Sequence, residues 1–114
     1  MMDCIFCKIV NGIIKSDIVY EDDKVVAFKD INPVAPVHVL IVPKKHIESA
    51  MDLNGEDFNI IGHIFSVAKK LSKDLGIDKD GFRIVNNCGR AGGQTVMHIH
   101  FHLLGGRDMQ WPPG

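Results

Sequence analysis

The ten residues Met97-His98-Ile99-His100-Phe101-His102-Leu103-Leu104-Gly105-Gly106 contain the pattern that decides the fold. Within them, His98, His100 and His102 occupy every second position and alternate with apolar residues. This alternation is typical of a half-buried β-strand, because successive side chains of a strand point to opposite faces. The segment therefore predicts a strand that presents three imidazoles on one face. Since four residues of strand span about 13 Å, His98 and His102 need not serve the same centre.

The rest of the chain predicts a mixture of helices and antiparallel strands. Apolar residues at helical spacing from Asn54 to Leu75 predict one long helix with Asn54 as its N-cap. A shorter helix is predicted after the capping residue Asp3, and it ends at Val10. Because hairpins and loops connect most strands, we expect an α+β fold: a five-stranded antiparallel sheet, covered on one face, with one long and one short helix. The other four predicted strands are Ile18–Glu21, Val25–Asp30, Val37–Pro43 and Phe82–Asn86.

Length and charge restrict the possible partners. The 114 residues fit a single domain, 1–114, and 46% hydrophobic residues suffice for a modest core. The formal net charge of −1 lacks the basic excess of a general nucleic-acid binder, so we expect no nucleic-acid partner and a local site for any phosphate. No apolar run approaches the ~20 residues of a membrane span, and the start Met1-Met2-Asp3-Cys4 lacks the basic segment of an export signal. We therefore expect a cytoplasmic protein that does not associate with membranes.

Several motifs together resemble the histidine triad superfamily. The run His98–Leu104 matches its signature, in which three histidines alternate with apolar residues. Other matching segments are similar to the Hint branch and extend over nearly the whole chain: Asp30-Ile31-Asn32-Pro33, Ala35-Pro36-Val37-His38, Pro43-Lys44-Lys45-His46, Gly92-Gly93-Gln94-Thr95 and Trp111-Pro112-Pro113-Gly114. Members of that branch form homodimers that join two sheets edge to edge. The resemblance implies the same extended sheet and homodimer here.

The resemblance also implies nucleotidyl transfer through a covalent intermediate. His100, the central histidine of the signature, would attack an α-phosphorus as a neutral imidazole, and water would then hydrolyse the nucleotidyl-histidine. His102 would donate to a non-bridging phosphate oxygen, while His38 would join the same polar network. Thr95 would hydrogen-bond the leaving group. The nucleophile needs one fixed tautomer, which a backbone carbonyl of its own strand would provide.

Further nucleotide contacts are implied residue by residue. Asp30 matches the carboxylate that takes both ribose hydroxyls, and Asn87 matches a polar contact near the phosphate and ribose. Gly93 belongs to a glycine loop whose backbone N–H groups would approach a phosphate. Taken alone, Asp30 also fits a turn, and the apolar residues of the site also fit a core. Those apolar residues are Ile5, Phe6, Phe28 and Ile31 around the base, with Trp111 contributed from the partner protomer.

A second group of residues indicates a metal. Cys4 and Cys7 form a Cys-x-x-Cys pair, which in a chain without a secretion signal indicates half a metal site or a redox pair. In some bacterial triad proteins, and in the related galactose-1-phosphate uridylyltransferases, such a pair binds zinc with two histidines. The matching histidines here are His46 and His98. A Cys2His2 set has no open position, so the implied Zn²⁺ would be structural. Two helix thiols without metal remain the alternative, Cys88 is expected to be a free thiol, and no organic cofactor is expected.

The leading functional hypothesis is a purine nucleotide hydrolase. More specifically, it would be a nucleoside phosphoramidase that cleaves the P–N bond of AMP–amine substrates, with a purine nucleoside monophosphate or its phosphoramidate as partner. One alternative is a dinucleoside polyphosphate hydrolase of the fragile-histidine-triad type, which the ending Trp111–Gly114 and the loop Gly92–Thr95 disfavour. Another is a non-catalytic nucleotide-binding or interaction protein, which the intact His100 disfavours.

Overall fold

A five-stranded antiparallel sheet forms the centre of the fold, as predicted. The computed structural model describes residues 3–114; Met1 and Met2, which begin the segment that predicts no export signal, lie outside the described residues. Neither helix in the described part has the length and apolar character that crossing a bilayer requires. Helix α1 spans Ile5–Val10, helix α2 spans Asp57–Asp74, and a short 3-10 turn spans Ala50–Asp52. The strands are β1 (Ile18–Glu21), β2 (Val25–Lys29), β3 (Val37–Pro43), β4 (Phe82–Val85) and β5 (Phe101–Gly105), in the order β1-β2-β3-β5-β4.

Apolar side chains cover both faces of the sheet, whereas the sequence pattern predicted cover on one face. On one face, α2 packs Ile64, Val67 and Leu71 against alternate residues of the strands. On the other face, α1 contributes Phe6 and Ile9. With only six residues, α1 is too short to show a clear helical stripe in the sequence. The buried strand residues of the first face are Val25, Ala27, Val39, Ile41, Phe101 and Leu103, and those of the second are Val26, Phe28, Leu40 and Val42.

Both helices begin differently from the prediction. Helix α1 is capped by Cys4, whose Sγ accepts the N–H of Cys7, and not by Asp3. Helix α2 begins at Asp57, and Asn54 does not cap it. Instead, the buried Asp57 carboxylate accepts the backbone N–H of Asn54 at 3.0 Å and the ammonium of Lys45 at 2.7 Å. Asp57 thereby holds the start of α2 against the segment that follows β3.

The triad segment enters the sheet only at Phe101, so the observed strand β5 is shorter than the strand that the histidine pattern predicted. Phe101 pairs with Ile41 of β3, which is the first pair of that ladder. Before it, the N–H of Ile99 donates to the carbonyl of Ile47 at 2.7 Å, and the carbonyl of His100 accepts from the side-chain amide of Asn86 at 2.9 Å. Because these two backbone groups bond to residues distant in sequence, they do not extend the β-ladder toward His98.

The hairpin between β1 and β2 is joined to α2 by a carboxylate. Asp22 accepts the N–H groups of Lys24 and Val25, the hydroxyl of Tyr20, and a contact from Nε2 of His63 on α2. Burial raises the pKa of Asp22, but the hydrogen bonds outweigh it and hold that pKa well below its ordinary range. Asp22 is therefore the structural partner of His63, and it lies far from the triad in sequence.

Candidate active site and metal centre

His100 is buried, and its ring is held in one tautomer. The ring packs edge-on against Phe6, with centroids 5.1 Å apart. Its Nδ1 lies 2.8 Å from the carbonyl oxygen of His98, which can only accept, so Nδ1 carries the proton. The lone pair of the neutral ring is therefore on Nε2. A neutral imidazole with a free Nε2 lone pair is a competent nucleophile.

A chain of hydrogen bonds also fixes the tautomers of His38 and His102. The N–H of Val34 donates to Nδ1 of His38 at 3.1 Å, so the proton of neutral His38 is on Nε2. That nitrogen lies 2.9 Å from Nδ1 of His102 and 3.3 Å from Oδ2 of Asp30. Donation to His102 leaves a proton on Nε2 of His102, whose ring centroid is 5.1 Å from that of His100. His100 therefore offers a nucleophilic lone pair beside the N–H donor of His102.

Burial keeps two of these imidazoles uncharged. Burial, together with the neighbouring His100 and His38, lowers the pKa of His102 to about 4. Burial also lowers the pKa of His38, although the Asp30 carboxylate opposes part of that effect. Both rings are consequently neutral at pH 7, which the tautomer chain requires.

We expect an NMR titration of the His102 ring to give a midpoint of about 4. The unfolded chain would titrate near the ordinary value of about 6.5 and so bind more protons between the two values. The free energy of unfolding therefore loses this group's contribution as pH falls from about 6.5 toward 4. Ring ¹H–¹³C spectra, assigned with a His102→Gln variant, measure the midpoint. A midpoint near 6.5 would show that the ring is solvated.

Four potential metal ligands converge beside the triad. The donor atoms of Cys4, Cys7, His46 and His98 all lie within 4.8 Å of one another. Nδ1 of His98 is 3.3 Å from Sγ of Cys4 and 3.6 Å from Sγ of Cys7, which is itself 3.3 Å from Nδ1 of His46. Zinc bonds of about 2.3 Å to sulfur and 2.05 Å to nitrogen give a tetrahedral S···N edge of about 3.6 Å. The spacing of these ligands therefore fits one zinc ion.

Local structure prepares this cluster for a cation. Cys4 caps α1 and Cys7 lies one turn later, so both sulfurs lie on the same side of the helix. Nε2 of His98 is 2.8 Å from the carbonyl of Pro43, so it carries the proton and Nδ1 presents its lone pair to the thiols. Burial and the neighbouring Cys4 raise the pKa of Cys7, so metal binding would release its proton.

A second group of potential ligands does not fit a metal. Asp30, His38 and His102 also bring their polar atoms within 4.8 Å of one another. Nδ1 of His38 accepts the N–H of Val34, however, so Nε2 must hold the proton and has no lone pair for a cation. We therefore assign this group to hydrogen bonding.

Comparison with known proteins identifies the family. A profile of the HIT domain matches residues 11–109. The chain belongs to the HIT domain family. An uncharacterized HIT-like protein of Synechocystis is 52% identical over 112 residues, which are 98% of this HIT chain and 97% of that protein. A HIT family hydrolase from Legionella pneumophila superposes with a TM-score of 0.96 at 50% identity, covering 98% and 100% of the two chains. A histidine triad nucleotide-binding protein from Candida albicans gives 0.86 at 37% identity, covering 96% and 83%.

The HIT domain divides the predicted polar contacts between two surfaces. Asp30 and His38 line a small cavity of about 200 Å³. Thr95 lines a different cavity, of about 560 Å³, together with Cys4 and His46. Oδ1 of Asp30 accepts the N–H of Asn32 at 2.8 Å, so Asp30 fits the turn as well as the polar network. Thr95 thus lies beside the four-ligand cluster, in a different cavity from Asp30.

Two of the predicted base-pocket residues of the HIT domain belong to the core, and the others are exposed. Phe6 and Phe28 are only 6% and 3% exposed and pack against each other with ring centroids 5.5 Å apart. Ile5 is 45% exposed and Ile31 is 88% exposed, so these two residues offer apolar surface to a ligand. Trp111 is 83% exposed in the single chain.

The glycine loop contains a residue that the sequence reasoning did not assign. Gly93 adopts φ +85°, and Nδ2 of Asn87 donates to the carbonyl of Gly92 at 2.6 Å. Gln94, between Gly93 and Thr95, is buried and bonded through its whole side-chain amide. A polar side chain inside a glycine-rich loop was the available signal, but its partners are backbone groups, which a sequence does not reveal.

Proposed function

We propose that this HIT protein is a Hint-branch purine nucleotide hydrolase, most specifically a nucleoside phosphoramidase. One observation carries the proposal: Nδ1 of buried His100 is bonded to the carbonyl of His98, which leaves the lone pair on Nε2. The hydrolase and nucleotide-binding protein among the structural relatives support the same class. Covalent catalysis then divides one difficult displacement into two easier ones.

In the proposed reaction, Nε2 of His100 forms a bond to the α-phosphorus as the P–N bond breaks, and the amine departs with a proton from solvent. The N–H of His102 donates to a non-bridging oxygen, where negative charge accumulates. Water then attacks the phosphorus and loses a proton to solvent as the bond between Nε2 and phosphorus breaks, which releases AMP and restores neutral His100. His38 keeps His102 in the donor tautomer, and Thr95 hydrogen-bonds the leaving group.

The nucleotide would lie between the triad and the exposed residues around it. Asp30 would accept from the ribose hydroxyls, while Asn87 and the backbone of Gly93 would contact the phosphate. Ile5 and Ile31 would contact the base directly, and Phe6 and Phe28 would support the floor of the site from within the core. Such sites are mostly apolar with a few placed polar groups.

We also propose that Cys4, Cys7, His46 and His98 hold a structural Zn²⁺. The ion would cross-link α1 to the segments that follow β3 and precede β5. It would supply no chemistry to the reaction, because all four tetrahedral positions belong to the protein.

We further propose a homodimer joined at the β4 edge. β4 is an outer strand of the sheet, and Phe82 on it is 39% exposed. Phe58 and Phe65 of α2 are exposed as well, and an uncovered apolar edge favours association. The guanidinium of Arg83 on β4 donates to the carbonyl of Gln110 at 2.8 Å, so the exposed Trp111 lies by this edge. Light scattering would then give twice the 12.7 kDa chain mass.

The substrate test compares two classes of adenylate. We expect adenosine 5′-phosphoramidate to release AMP faster than diadenosine triphosphate under the same conditions. The reverse preference would support the dinucleoside polyphosphate hydrolase. Tight AMP binding without turnover of either compound would support a non-catalytic nucleotide-binding protein.

A further inference from the structure

Gln94 is a buried amide whose hydrogen-bonding groups are all used. It is 7% exposed. Its Oε1 accepts the N–H of Gly89 at 2.9 Å, and its Nε2 donates to the carbonyls of Glu48 at 2.6 Å and Val96 at 3.0 Å. Because unpaired buried polar groups are costly, three such bonds restrict the side chain and its partners to one arrangement.

The three partners of Gln94 lie on different parts of the site. Gly89 begins the glycine loop and Val96 follows it, whereas Glu48 lies two residues after the metal-centre histidine His46. The backbone N–H of Gln94 also donates to the carbonyl of Gly89 at 3.0 Å. Through these bonds, Gln94 links the two ends of the glycine loop and joins the loop to the segment that follows β3.

The segment that follows β3 also bonds to the residue directly before the proposed nucleophile His100. The carbonyl of Ile47 accepts the N–H of Ile99 at 2.7 Å, directly before His100. The next carbonyl, that of Glu48, accepts from Gln94. Two adjacent carbonyls thus determine where the loop lies relative to His100.

We infer that Gln94 is a positioning residue for the leaving-group side of the reaction, an inference that rests on the proposed function. Gln94 is buried and acts through the next residue, the exposed Thr95. AMP has no leaving group, and Asp30 and Ile31, which would bind its ribose and base, lie on another part of the chain. Asn87 and Gly93 of the same loop would contact the phosphate that AMP keeps, so loss of Gln94 lowers the rate of P–N cleavage by much more than it lowers AMP affinity.

Gln94→Ala and Gln94→Glu test this role. We expect kcat for adenosine 5′-phosphoramidate to fall about 100-fold in Gln94→Ala, since small displacements of a reacting group have effects of that size. The dissociation constant for AMP should rise by no more than about tenfold, because the proposed ribose and base contacts lie outside the loop. Gln110→Ala is the matched control: it is a change of the same kind at an exposed glutamine whose backbone carbonyl, the partner of Arg83, is retained.

The Gln94→Glu variant supplies a pH readout that a purely structural role would not produce. An ionised carboxylate cannot donate to Glu48 or Val96, whereas the protonated acid has one donor. Turnover relative to wild type should therefore rise as pH falls from 8 to 5. If Gln94→Ala does not fold, the pH profile of Gln94→Glu turnover tests the inference alone. A ratio to wild type that does not change with pH would overturn it.

Hydrogen exchange separates the possible results. The amide of Gly89 should exchange at least about tenfold faster in Gln94→Ala, because its acceptor is gone. Faster exchange with unchanged kcat would overturn the inference, as would a parallel loss of kcat and AMP affinity. Wild-type protein that releases no AMP from the P–N substrate would instead refute the proposed function, whatever the Gln94 variants do.

Discussion

His100→Ala is expected to lower turnover of an AMP–amine substrate by about 10⁴-fold or more, because removal of a covalent nucleophile has effects of this order. The variant lacks the Nε2 lone pair that the carbonyl of His98 orients in the native ring. AMP affinity should change by no more than about threefold, since the proposed ribose and base contacts remain.

The experiment combines steady-state kinetics, AMP binding and mass spectrometry of quenched reactions. Wild type should show an adenylyl group on a peptide that contains His100, and the variant should not. His63→Ala is the matched control: it removes an imidazole bonded to Asp22 on the β1–β2 hairpin and should retain turnover within about twofold. A His100→Ala protein with a tenth of wild-type turnover would rule out the covalent route.

Cys4→Ser is expected to lose the bound metal and to lower the free energy of unfolding by about 4 kcal/mol. A ligand that binds only the native state adds about this much when its free concentration is a thousand times its dissociation constant. The substitution removes the sulfur that lies 3.3 Å from Nδ1 of His98. Chelation of the wild-type protein should have the same sign and a similar size.

Cys88→Ser is the matched control for that change, because Cys88 is a free thiol outside the four-ligand cluster. It should retain one metal per chain and change stability by less than about 0.5 kcal/mol. Elemental analysis and thermal unfolding, with and without chelator, measure both quantities. If zinc-titrated wild type holds no metal, or if Cys4→Ser is as stable as Cys88→Ser, the zinc assignment is wrong.

Hydrophobic alternation predicted the sheet well because it is a local property of the chain. The bounds of β1 and β3 were predicted as observed, and β2 and β4 end one residue earlier than predicted. The triad strand was overestimated since its upstream backbone groups bond to Ile47 and Asn86, which are distant in sequence. The cap of α2 was wrong for a similar reason: Asp57 bonds to Lys45, which precedes it by 12 residues.

The sequence predicted which residues form the candidate site better than it predicted how those residues are arranged. Resemblance to known motifs selected the histidines and cysteines, and the structure brings the four predicted metal ligands together. It also brings His38 within hydrogen-bonding distance of His102 and Asp30. The separate cavity of Thr95 and the bonds of Gln94 were beyond the sequence, because they depend on how loops pack.

Peptide groups, rather than neighbouring side chains, assign the protons of three imidazoles: the N–H of Val34 for His38, the carbonyl of Pro43 for His98, and the carbonyl of His98 for His100. A point substitution changes a side chain but cannot delete a peptide carbonyl, so this proton pattern survives sequence drift as long as the main-chain path is kept. Grafting the histidines alone onto a foreign strand would transfer the rings without the groups that decide which nitrogen is free.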